Sequence, residues 1–455
     1  MASHPVSDKT TPPRHGTASE AVQVHQPKGP IMSKQIRPGM RSSPSRIFLK
    51  SPARSTVAWA MTAALAMPLA VDPALAADNN CAQANNPPPA TDLPHAWPES
   101  VGVDSRPLVQ LSEWIRKEDF DVRSFLVVKD GKLIFERYGK GLSRDYNYEL
   151  YSITKNVTAI AAGVLVDEGR TRLDEKVAPV LGKVRPDLKE ALADKQAIEL
   201  RHVLSMSTGL FYNFKPTDDP IYYGAPDRLK LAVETAPKRS PGEIFDYTDV
   251  NPILASATLG ADAGMPLQHF SEERIFKPMG MTHYAWERAD EKGLVSSGWG
   301  LRLRAVDMAK IGMLVLSGGR WNDRQIVSQA WVRTMTAPSS APWYGLYWWI
   351  NDIVATEPEI HAMGFKGQFI VTLPERNAVV VMTSMLPIEG GLRESKNVLA
   401  IRRMVKDFVL PALDNVRHAR LTPASQQALI RELELAAQHQ GKPGAPVDPT
   451  DTPKL

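Results

Sequence analysis

A single cysteine, Cys81, stands among the 455 residues, so the chain can form neither an internal disulfide nor a cysteine-rich metal site. Excess charge is also scarce. The formal net charge is only +4, and Lys9, Arg14, Lys28, Lys34, Arg37, Arg41, Arg46, Lys50 and Arg54 stand almost unopposed near the N-terminus. The excess is thus more a property of that leader than of the body. No groove of Lys, Arg and aromatic residues is visible, so no nucleic-acid partner is expected. A Walker-type phosphate loop, a dinucleotide fingerprint, an HExxH pair, a Gly-x-Ser-x-Gly elbow and internal repeats are all missing. The histidines offer no ligand set. His269 and His283 are too far apart in sequence for a local site, and His202, inside a helix before a Ser-Met-Ser-Thr-Gly turn, reads as structural. Neither a metal nor an organic cofactor is expected.

What is present begins with enough apolar residue, 43% of the chain, for a sizeable core. Residues 57–71, VAWAMTAALAMPLAV, follow Arg54 and precede Ala74-Leu75-Ala76. A basic start, a short apolar middle and a small-x-small end form a secretory signal, with cleavage expected after Ala76. The apolar part falls short of the roughly 20 residues that span a bilayer and contains Pro68. The mature protein is therefore expected in the periplasm or outside the cell, without stable membrane insertion. Residues 1–76 form the leader, with translation expected to start at Met32 or Met40. Cys81 does not sit in a lipoprotein context.

Residues 77–104 read as a linker, loosest over the Asn-, Pro- and Ala-rich 77–100. A helical stripe (Leu108, Leu111, Ile115) precedes two apolar runs, 123–129 and 132–138, split by Asp130-Gly131, a strong hairpin signal. A helix is expected from Tyr148 to about Glu168, ending at Gly169. The stretch 170–340 reads mostly as helices and loops. Strands return at 345–350, 367–374 and 378–384, followed by a helix over 392–410. Strands at both ends with helices between predict an α+β fold: one antiparallel sheet flanked by helices, with a mainly helical lobe inserted at about 170–340. The domain is expected to span 105–410. Beyond it, 411–455 reads as an extension with one helix at 422–437 and a disordered end.

The chemistry centres on Ser152-Ile153-Thr154-Lys155. Residues three apart on a helix share a face, so the Ser152 hydroxyl and the Lys155 amine can converge. A serine becomes a useful nucleophile only when a base takes its proton, and Lys155 can do so if burial and nearby positive charge lower its pKa or if a partner base shares the load. Tyr247, in PGEIFDYTD after the Pro241-Gly242 turn, can do this as a tyrosinate beside a lysine ammonium and then return the proton to the leaving group. Glycines in HAMGFKGQF (361–369) allow a substrate to lie against a strand edge, and an N–H in that turn can join the Ser152 N–H in stabilising an oxyanion. The aromatic segment Phe211-Tyr212-Asn213-Phe214 and the pairs Tyr222-Tyr223, Trp343-Tyr344 and Trp348-Trp349 are candidates to line an apolar cleft.

These pieces, in order and context over about 105–410, resemble the serine beta-lactamase and penicillin-binding superfamily. The likeness is to the branch with class C beta-lactamases, DD-peptidases, family VIII esterases and 6-aminohexanoate-dimer hydrolases. It implies a beta-lactamase/transpeptidase-like α/β sandwich, with Ser152 acylated, Lys155 paired to it, and Tyr247 as the tyrosine of a Tyr-x-Asn element. It also implies an oxyanion hole from the Ser152 and Phe365 N–H groups. Gly364 closes the third motif, and Gly367-Gln368 resembles the hydrolase and esterase members. Two departures stand out. Asp249 replaces the Asn, and its carboxylate is expected to pair with Lys155. Ala362-Met363-Gly364 replaces Lys-Thr-Gly or His-Thr-Gly, removing the groups that hold a substrate carboxylate, with Lys366 and His361 as possible substitutes. The expected substrate is a small ester or linear amide. A beta-lactamase or DD-carboxypeptidase is the alternative, and a catalytically silent cell-wall binding protein is the non-enzyme reading.

Overall fold

The computed structural model describes residues 92–212, 219–222, 224–286, 289–386 and 395–442. The expected leader and signal, Cys81 and the tail beyond 442 lie outside these residues.

The two early apolar runs become β1 (Val122–Lys129) and β2 (Lys132–Tyr138). Asp130 and Gly131 between them have φ of 49° and 74°, the left-handed pair that a two-residue hairpin requires. The late runs form β3 (Trp349–Ile350), β4 (Ile360–Gly364), β5 (Gln368–Leu373) and β6 (Ala378–Ser384). All six make one antiparallel sheet in the order β2-β1-β6-β5-β4-β3. Its centre joins the two ends of the fold, because β1 pairs with β6 from Val122↔Ser384 to Lys129↔Ala378. Every residue of β5 and β6 is buried, which explains their unbroken apolar reading.

Helix α1 (Ser105–Lys117) starts where the Asp104 carboxylate accepts from the Arg106 N–H, and it buries Leu108, Leu111 and Ile115. Then come α2 (Thr154–Asp167), α3 (Val250–Ala263), α4 (Ala305–Leu316), α5 (Lys396–Met404) and α6 (Pro423–Gln438). Helix α4 is pressed onto the sheet. A Cβ on Gly312 would lie 2.5 Å from Val379 and 2.9 Å from Ile370.

The packed region is wider than 105–410. From Asp92 onward the supposed linker belongs to the fold: Leu93 is buried, His95 bridges to Leu133, and the Asp92 carboxylate lies 3.0 Å from Arg304 and 3.3 Å from Lys310. Composition favoured a loose segment there, but its buried partners lie far along the chain. The middle block is not wholly helical either. Asn147–Glu149, Leu301–Arg304 and Tyr284–Trp286 form a small antiparallel sheet. Of 345–350, only the last two residues are strand, after a left-handed Tyr347.

Helix α6, assigned above to an extension, lies against α1 and β2. The guanidinium of Arg116 grips the Glu432 carboxylate at 2.8 and 2.6 Å. Burial pulls the enclosed Arg137 down to about 10, and the Glu432 charge opposes that pull. Glu432→Gln removes the counter-charge that Arg116 grips and that offsets the burial of Arg137, a loss of up to about 3 kcal/mol. The expected outcome is a lower urea midpoint, with α6 amides exchanging hydrogen ahead of those in β5 and β6.

Candidate active site

The small sheet delivers the chain to the candidate nucleophile. After Asn147–Glu149 the backbone turns at Tyr151, whose φ is 48°. Ser152 sits in the single 3-10 turn Tyr151–Ile153, and α2 follows at Thr154. The helix thus begins later than Tyr148, because a left-handed aromatic residue interrupts it. An L-residue held there costs about 1–3 kcal/mol, so the turn needs external support. The Glu149 Oε1 atom supplies some, accepting from the N–H groups of Tyr151 (3.1 Å) and Gly300 (2.9 Å). Helix α2 is buried continuously from Thr154 to Leu165, so its first turn is held as rigidly as a core element.

Lys155 is 1% exposed. Its ammonium donates to Ser152 Oγ at 3.1 Å and to the Gly298 carbonyl at 3.0 Å, and it forms an ion pair with Asp249 Oδ1 at 2.7 Å. The Tyr247 ring centre is 5.1 Å away. Burial opposes the charged amine, but Asp249 and then Tyr247 outweigh it and raise the Lys155 pKa above its ordinary value. The lysine thus meets Ser152 as a hydrogen-bond donor and a positive charge. Tyr247 is fixed by its wall: its ring stacks on Trp349 at 5.7 Å, and Trp349 lies 6.3 Å from the parallel ring of His361.

The opposite side is the β4–β5 turn. A Cβ at Gly364 would stand 2.3 Å from the Leu150 carbonyl oxygen, so only glycine lets β4 approach the Ser152 turn this closely. The Phe365 ring meets the Tyr151 ring edge-on at 5.5 Å. Lys366 and Gly367 are both left-handed, at φ 61° and 93°. The turn is tied from behind: the Ser384 hydroxyl donates to the carbonyls of Lys366 (2.7 Å) and Gly367 (2.9 Å), and Gln368 Nε2 donates to those of Phe365 (3.1 Å) and Ser384 (2.7 Å).

The fold thus gathers Ser152, Lys155, Tyr247 and Asp249, with Gly364, Phe365, Lys366 and Gly367 beside them. Gln368 is nearby but buried, and its amide holds the turn rather than facing a substrate. The Tyr212 hydroxyl donates to Asp219, and Asn213, Phe214 and Tyr223 lie outside the described residues. His361 is buried against Glu359 at 3.1 Å and is no substitute for the missing third-motif cation. Tyr344, Trp348 and Trp349 are core rather than cleft wall. Glu149 and Gly298 escaped sequence reasoning, and Tyr222, read there only as a candidate cleft residue, bonds Asp249 instead. For Gly298 a signal was present, since the run Ser296-Ser297-Gly298-Trp299-Gly300 is the composition of a close backbone approach.

The beta-lactamase family model matches residues 119–401, and the chain belongs to that family, whose members are hydrolases. A candidate D-alanyl-D-alanine carboxypeptidase of Escherichia coli (strain K12) is 22% identical over 378 residues, covering 66% of this chain and 87% of the relative. The 6-aminohexanoate-dimer hydrolase of Paenarthrobacter ureafaciens is 23% identical over 309 residues, covering 60% of this chain and 74% of the relative. Among solved structures, EstCE1, a hydrolase with promiscuous acyltransferase activity, aligns with a TM-score of 0.54 at 18% identity, over 68% of this chain and 99% of its own. Likeness at that level establishes the fold: the antiparallel sheet between helices that the sequence predicted.

Proposed function

We propose that the chain is a serine hydrolase that forms an acyl-enzyme on Ser152 and cleaves an ester or a linear amide. The observation that carries this reading is the buried Lys155 ammonium, which touches Ser152 Oγ and the Asp249 carboxylate and lies beside Tyr247. Because the lysine is charged, the serine proton passes to Tyr247 as a phenolate. The Ser152 oxygen bonds to the substrate carbonyl carbon, and the resulting oxyanion is held by the N–H groups of Ser152 and Phe365. Collapse breaks the bond to the leaving group, which takes the proton from Tyr247. Water then attacks the acyl carbon, gives its proton to the same phenolate, and releases the acid and the serine.

The substrate preference rests on the third motif. Ala362 and Met363, both buried, offer neither cation nor hydroxyl, which favours an acyl group without a carboxylate beside the scissile bond. A carboxypeptidase reading draws on Lys366, whose ammonium lies 5.8 Å from the half-exposed Phe365 ring at the rim. The signal in residues 57–76 supports export with cleavage after Ala76, which sequencing of the mature N-terminus tests.

A fluorophosphonate probe is expected to label the purified protein at Ser152. Turnover of p-nitrophenyl esters or linear 6-aminohexanoate dimer is expected to exceed that of nitrocefin and a D-Ala-D-Ala peptide. Preference for the last two would overturn the substrate assignment, and absence of labelling would overturn the mechanism.

A further inference from the structure

Asp249 occupies the N-cap position of α3, where a carboxylate ordinarily accepts from the first turn of its own helix. It makes no such bond. Its two oxygens are divided instead: Oδ1 faces Lys155 at 2.7 Å, and Oδ2 accepts from the hydroxyl of Tyr222, 27 positions earlier. Tyr222 is itself braced. Its ring packs on Trp299 at 5.2 Å, and the Arg228 guanidinium lies 4.7 Å from the Trp299 ring. Arg228 in turn donates to the Ile221 carbonyl at 3.2 Å, beside Tyr222. Trp299 stands between Gly298, which accepts from Lys155, and Gly300, which donates to Glu149. One brace therefore touches Asp249, the lysine's carbonyl partner and the support of the Ser152 turn.

We infer that Tyr222 is a positioning residue for the proposed hydrolysis: its hydroxyl holds the Asp249 carboxylate in place against Lys155, so that the ion pair stays fixed beside Ser152. This rests on the serine hydrolase reading and adds to it a residue that never meets the reacting atoms. A hydrogen bond donated to one oxygen of a carboxylate fixes the direction in which the other points. Lys155 and Tyr247 stand on the catalytic side of Asp249, the buried Tyr344 and Tyr347 feel its charge, and Tyr222 meets it on the other side. Arg228 stands behind Trp299, and Tyr212, bonded to Asp219, is the next titratable group on the Tyr222 side.

Tyr222→Phe retains the ring against Trp299 and removes only the donor. Losing one charge-assisted hydrogen bond is expected to lower kcat about tenfold. KM and the melting temperature are expected to stay near the parent values. With Asp249→Asn already in place, adding Tyr222→Phe is expected to lower kcat no further, because the tyrosine acts through the carboxylate. An unchanged kcat, or an equal loss on top of Asp249→Asn, would overturn the inference. Isotope-edited infrared absorption of the aspartate carboxylates at a fixed pH reads the hydrogen bonding of Asp249 and needs no turnover. A carboxylate stretch displaced in Tyr222→Phe relative to the parent supports the role even if no substrate is hydrolysed, in which case the hydrolase reading alone fails. No difference in that band overturns the role of Tyr222.

Discussion

Ser152→Ala is expected to eliminate probe labelling and turnover together, and Lys155→Met to lower kcat by about 1,000-fold, within the range for removing a preorganised donor and charge beside the reacting atoms. The lysine variant carries a complication that the geometry also resolves. Lys155 is enclosed, and Asp249 pairs with it at 2.7 Å. Removing the ammonium alone leaves a largely buried carboxylate without its counter-charge, a loss of about 3 kcal/mol or more. Lys155→Met should therefore melt early as well as turn over slowly. Combining it with Asp249→Asn removes the stranded charge. The double variant is expected to recover much of the melting temperature and none of the activity, separating the chemical role of the lysine from its structural one. Recovery of both would show that Lys155 matters only for packing.

The second large effect is expected from a single methyl group. Gly364→Ala places a Cβ 2.3 Å from the Leu150 carbonyl oxygen, and backbone on both sides must separate to admit it. The β4–β5 turn then withdraws from the Ser152 turn, taking the Phe365 N–H away from the oxyanion. Loss of one such donor lowers kcat by about 100-fold or more. Circular dichroism should remain that of the parent, since the remaining strand pairs are untouched. The same substitution at Gly182, inside the helix Val177–Val184 with only a Leu192 methyl at 4.0 Å, is the control. It should leave activity intact and add up to about 1 kcal/mol of stability through helix propensity. Equal activity in the two variants would remove Phe365 from the oxyanion hole.

Much of the architecture was legible because its determinants are local. Asp130-Gly131 sets a hairpin by its own backbone preference, the apolar run of β6 is continuous, and Ser152 and Lys155 are close enough along one turn to face each other. The meeting of early and late strands followed from their lengths and order. Tyr247 and Asp249 needed the family resemblance, since no spacing rule ties them to a serine almost a hundred positions earlier. The role of Tyr222 was beyond both, because its bond to Asp249 depends on how the segment before α3 is braced by Trp299 and Arg228. The helix start was misplaced for a different reason. Tyr148 and Leu150 fit an apolar stripe, and nothing in an aromatic residue announces that Tyr151 will be left-handed. Asp92 and Glu432 were missed because flanking composition masked single charges whose partners are Arg304, Lys310 and Arg116.

Ser124 and Thr383, 259 positions apart, meet through their hydroxyls at 2.6 Å where β1 joins β6. A ribosome makes β1 early and must then translate the whole lobe before its neighbour exists. During that interval the β1–β2 hairpin has one edge bare, and the apolar side chains of β1 have no sheet to share. Chain topology of this kind slows folding and leaves the nascent hairpin open to wrong pairing. The arrangement that sets β4 beside Ser152 thus makes the last strands the limiting event in biogenesis. Truncation anywhere before residue 378 leaves a helical lobe and an orphan hairpin rather than a smaller enzyme.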